Sequence, residues 1–130
     1  MRALPLLLLV LAVGCRTTSL YEPPNVPPDV TEIRLDDDEM PRVLYASAWG
    51  AFAEFGWEIV SHDSDAMRMT VRPEDTETVL VVQAQENEPG GHVGEGHLVA
   101  RVEPGAPEQR RVIEEATTVL ASLPGQLTFR

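Results

Sequence analysis

An apolar run from Ala3 to Val13 follows Met1-Arg2 and ends on Gly14 and Cys15, which sets this stretch apart from anything the rest of the chain can fold into. A positive start, an apolar middle and a small residue before a polar continuation are the parts of a secretion signal. The run is about half the roughly 20 apolar residues that a helix needs to cross a bilayer, and Pro5 weakens its helical continuity, so a permanent span is not expected. Cys15 is the only cysteine, so no intrachain disulfide can form. An exported chain with a single thiol pairs it between molecules, leaves it free or modifies it.

Ala12-Val13-Gly14-Cys15 resembles the lipobox of bacterial lipoproteins. The resemblance implies cleavage between Gly14 and Cys15 and a diacylglyceryl thioether on Cys15, often with a further acyl chain such as palmitate on the new amino terminus. Ala12 stands where leucine is commonest in that motif, with Leu11 one step earlier. Two or more acyl chains hold a protein stably on a bilayer where a single chain is marginal. Arg16 follows, rather than the aspartate of an inner-membrane retention signal. The expected location is therefore the periplasmic face of the outer membrane, with the membrane as a partner through the lipid anchor.

Residues 1–14 are thus expected to be a signal peptide. Residues 15–29 follow as a lipid-anchored tether in which Pro23, Pro24, Pro27 and Pro28 deny backbone donors to any ladder. At about 3 Å per residue in polyproline II form, such a tether reaches on the order of 40 Å. Residues 30–130 then make one α+β domain, since the length leaves no room for a second. Hydrophobic residues at 43% and charged residues at 24% are ordinary for a chain that folds. All ten basic residues are arginine and the formal net charge is −11, so the field repels nucleic acid, and no nucleic-acid partner is expected.

Periodicity assigns the elements. Val30 to Leu35 alternates as a strand, and Asp36-Asp37-Asp38-Glu39 is expected to cap a helix from about Met40 to Phe55. That helix places Leu44, Ala48, Ala51 and Phe55 on one stripe, widened by Tyr45, Trp49 and Phe52. Gly56 suits a left-handed terminator. Trp57–His62 and Met67–Arg72 read as a hairpin around Asp63-Ser64-Asp65, followed by a strand from Thr76 to Gln85 and another from Glu95 to Glu103. Glu108 to Leu123 carries Val112, Ile113, Ala116, Val119, Leu120 and Leu123 on one helical stripe, and the tail offers Leu127 and Phe129 to a sheet edge. The expected fold is β-α-β-β-β-β-α: an antiparallel sheet of four to five strands with two helices on one face. The helix with its aromatic stripe, Gly56-Trp57-Glu58-Ile59-Val60 and Met67-Arg68-Met69-Thr70-Val71 resemble the helix-grip-type domains of small outer-membrane lipoproteins. This likeness is one of pattern, and it carries no binding residue with it.

The chain offers little catalytic apparatus. His62, His92 and His97 have no second cysteine or tight carboxylate partner, so neither a metal nor a cofactor is expected. Ser61 and Ser64 lack a nucleophile elbow, so no catalytic residue is expected and the chain does not read as an enzyme. Alternation turns Val60, His62, Arg68, Thr70, Arg72, Val79, Val81, His97, Val99 and Arg101 away from the helices. The candidate partner-binding face is therefore Arg68, Arg72, Val81, Val99 and Arg101, arginines around an apolar centre that suit an acidic or extended partner. Against it stands local pairing of those arginines with acids such as Glu58. The expected role is a membrane-anchored, non-catalytic interaction or assembly module with an envelope protein as partner. The alternative is a carrier of a small apolar ligand, with a cavity near Trp49, Phe52 and Trp57.

Overall fold

The computed structural model describes residues 26–87 and 95–130. The leader, Gly14, Cys15, most of the tether and His92 lie outside the described residues. Six strands form one antiparallel sheet: β1 (Glu32–Asp36), β2 (Glu58–Asp63), β3 (Arg68–Arg72), β4 (Leu80–Glu86), β5 (Gly96–Arg101) and β6 (Gln126–Phe129). Their spatial order is β2-β3-β4-β5-β1-β6. Helix α1 (Pro41–Glu54) lies over β4 and β5, helix α2 (Gln109–Ala121) lies over β1, and the two helices touch. The α+β class is as expected; the sheet is larger than expected because the tail after α2 forms a sixth strand on β1.

One face of the sheet makes the core. Ile33, Leu35, Met69, Val71, Leu80, Val82, Ala84, Leu98 and Ala100 are all buried, and they alternate with residues that point away. Leu44, Ala48, Ala51 and Phe52 of α1 and Val112, Ile113, Ala116, Val119 and Leu120 of α2 close on them. Neither helix has another surface on which to bury its apolar side chains, so both share this face.

Local details depart from the periodic reading at three places. Met40, extended at φ −66° and ψ 148°, is the residue before α1, and no side chain caps the helix. A residue before proline is pushed out of the helical region, so Pro41 fixes the capping position at Met40, one beyond Glu39, and leaves the acidic run outside. Asp36 instead binds Arg34, and Asp37 accepts the amide of Asp38 at 2.8 Å. Phe55 falls past the end of α1 and is 47% exposed, whereas Phe52 is fully buried against Trp57. Strand β4 begins at Leu80 rather than Thr76, because Thr78 donates to the carbonyl of Pro107 and its amide bonds Thr76 Oγ1. Such side-chain bonds draw the backbone away from a ladder.

The approach to β6 depends on Gly125, whose φ is +126°. A Cβ at this position would stand 2.5 Å from the carbonyl oxygen of Asp36 and 2.9 Å from Leu35 Cδ1. Gly125→Ala is therefore expected to destabilise the domain by about 1–3 kcal/mol, combining backbone strain with a contact that the sheet cannot relieve. Thermal unfolding of the variant beside Ser122→Ala, at an exposed position, checks this; equal midpoints would contradict it.

Candidate interaction face

Strand register arranges the face that the helices leave open. One cross-strand row runs Thr70, Val81, Arg101, Glu32, and the next runs Arg68, Gln83, Val99, Arg34, Thr128. A third runs Gln85, His97, Asp36, Gln126. Arg34, Arg68, Arg72 and Arg101, four of the ten arginines, thus share one side of a chain whose net charge is −11. Between them lies a groove of about 350 Å³ lined by Val81, Gln83, Gln85, Val99 and Arg101, with Val102, Glu103 and Pro104 at one end. The valines make its floor apolar, while the glutamine amides supply both donors and acceptors.

The structure brings three of the five sequence-derived face residues, Val81, Val99 and Arg101, to this groove, and places Arg68 and Arg72 beside it on β3. Local acids engage three of the four arginines, Arg34 through Asp36 at 3.0 Å. Arg101 Nη2 lies 2.8 Å from Glu32 Oε1, and Arg72 pairs with Glu58 and, at 3.2 Å, with Glu77. The Glu58 hydrogen bond raises the Arg72 pKa above its ordinary value. Arg72 Nε is buried and has no hydrogen-bond partner among the described residues. Arg68 makes no ion pair among the described residues; its carbonyl accepts the hydroxyl of Tyr45 at 3.1 Å. Burial raises the pKa of that hydroxyl, with Asp63 adding to the effect.

One residue, His62, is not where alternation puts it. The β2–β3 register slips between Ile59 and Ser61, so Val60 is an extra residue and everything after it changes face. His62 consequently lies opposite buried Met69 on the helix side, with its ring edge-on to Trp49 at 4.9 Å between centroids. His97 does lie on the open face, yet it is buried, 2.9 Å from Asn87 Oδ1 through Nδ1. Burial and then the Arg34 guanidinium lower its pKa from the ordinary histidine value, which favours the neutral ring. Val99 is also buried, only 9% exposed between the long side chains of Gln83 and Arg34, whereas Val81 is 37% exposed. The exposed part of the floor is therefore Val81, and Val79 and the bulged Val60 are also exposed.

On the helix side, Phe52 and Trp57 meet at 4.8 Å in a T-shaped contact where a ligand carrier would hold its cavity. No group of three or more His, Cys, Asp or Glu side chains able to hold a metal occurs among the described residues, and no helix among them is long and apolar enough to cross a membrane. Away from the groove, Arg111 gathers Asp75, Glu108 and Glu115 at the start of α2. Hydrogen bonds from Thr76 and Arg111 lower the Glu108 pKa, and this cluster ties the loop before β4 to the helix. No known protein-family profile matches the chain, and comparison with curated proteins gives no match.

Proposed function

We propose that the chain is a lipid-anchored protein of the bacterial cell envelope, held at the periplasmic face of the outer membrane, whose domain is a non-catalytic interaction or assembly module. The observation that carries this reading is the asymmetry of the sheet. Both helices cover one face, and the other retains an open groove with an apolar floor, amide walls and Arg101 in its lining, with Arg68 on the strand beside it. An extended segment of an envelope protein fits such a surface: its apolar side chain covers Val81, its backbone meets Gln83 and Gln85, and an acidic group reaches Arg68 or Arg101. The anchor contributes by restricting the search to a surface, which raises the effective concentration of partner and module for one another.

Crosslinking in the native envelope tests the face. Val81→Asp places a charge in the floor without touching the core, and together with Arg68→Glu it is expected to reduce the captured partner at least ten-fold, the scale of a lost interface contact. Glu114→Gln, on the exposed side of α2, is expected to leave capture unchanged. The same partner held equally by the doubly substituted face would remove the groove from the proposal.

A further inference from the structure

The two edges of the sheet are unlike. Strand β2 carries the Val60 bulge, with Glu58 and Asp63 at its ends, and bulges and charges are devices that discourage a further strand from pairing. Strand β6 at the other edge has neither a bulge nor an acidic side chain, although the chain contains 21 acidic residues.

The hydrogen bonds of β6 show which of its backbone groups are free. Arg130 N donates to Glu32 O at 2.9 Å and Glu32 N donates to Arg130 O at 3.0 Å, so these two residues form a hydrogen-bonded pair. Such pairs alternate along an antiparallel ladder, which makes Arg34 with Thr128 and Asp36 with Gln126 the next ones. Leu127 and Phe129 therefore turn their amides and carbonyls outward, and among the described residues no strand meets them. Their side chains lie on the core side and are only half-buried.

We propose that β6 pairs with β6 of a second copy of this chain, antiparallel, about a two-fold axis at Thr128. The strand is self-complementary in this register. Leu127 lies opposite the other copy's Phe129 and Phe129 opposite its Leu127, both as hydrogen-bonded pairs, so all four outward groups on each strand find partners. The half-buried Leu127 and Phe129 side chains then cover one another as a continuation of the core. On the open face Thr128 meets Thr128, a favourable cross-strand pair, and Gln126 meets Arg130. A sheet of twelve strands results, and both open faces lie on the same side of it. The opposing force is repulsion between two chains of net charge −11, which salt screens, so association tightens as ionic strength rises.

Thr128 is exposed in the single chain, so its charge can be changed while the β1 pairing is kept. The full chain, purified in density-matched detergent and followed by sedimentation, is expected to dimerise reversibly. Thr128→Glu and Thr128→Arg are each expected to weaken the dimer at least ten-fold, because like charges then face each other across the axis. Mixing the two variants is expected to restore it. Amide exchange is a second readout: Leu127 and Phe129 gain protection with concentration, whereas Gln126 and Thr128 are protected throughout. A monomer at every concentration up to the solubility limit, or a dimer that neither single variant weakens, overturns the proposal. So does a failure of the mixture to recover, since recovery requires position 128 to face itself. These measurements use the chain alone, and their outcome is independent of the groove.

Discussion

Cys15→Ala is expected to leave the leader uncut and the chain without acyl label, and the wild type is expected to incorporate labelled palmitate and to begin at Cys15. The size of the effect follows from the chemistry. Each buried methylene of an acyl chain contributes about 0.8 kcal/mol to membrane binding, so two acylations give a stable attachment that a single chain does not. The sequence after Cys15 is acidic on balance, and an acidic surface is repelled by anionic headgroups. Mass spectrometry of the mature wild type is the direct check. An unmodified sulfur there would defeat both the lipobox reading and the envelope placement that rests on it.

Phe52→Ala is expected to produce the largest loss of stability of any single substitution in the domain, about 3–5 kcal/mol. Phe52 is fully buried and packs edge-to-face on Trp57, and its removal leaves a cavity between α1 and the sheet that the surrounding strands cannot close. Domains of this size are stable by only about 5–15 kcal/mol, so the variant loses a large part of the margin, and its unfolding midpoint falls by on the order of 15 °C or more. Phe55→Ala, three residues on, is expected to change stability by no more than about 0.5 kcal/mol, since Phe55 is 47% exposed beyond the end of α1. Equal losses at the two positions would mean that the helix is rotated from the placement described.

That contrast shows how far local pattern reaches. A stripe of period 3.6 marks out a helix from about Met40 to Phe55 and treats Phe52 and Phe55 as neighbours on one broad surface; the helix in fact ends at Glu54, and which of them meets Trp57 depends on where it stops. The acidic run before α1 is a similar case. Its composition suits a cap, yet the capping position falls to Met40 because Pro41 governs the conformation of the residue before it. On the candidate face, the arginines and Val81 project as alternation indicates, and the reading fails at His62 because one extra residue at Val60 reverses the side of everything after it in β2. The exposure of Val99 was equally illegible, because it is set by Gln83 and Arg34 on flanking strands that are distant in sequence.

By itself the sequence determined the element types and the apolar face of both helices and of the strands without a bulge, because these are written in residues adjacent along the chain and follow from the fixed periods of helix and strand. Only the tertiary structure decided the insertion of β1 between β5 and β6, the bulge in β2, and the closing of the core by Phe52 on Trp57. Those depend on pairing and packing between segments far apart in sequence, where the winning arrangement is the one that buries the most apolar surface while leaving the fewest backbone groups unpaired.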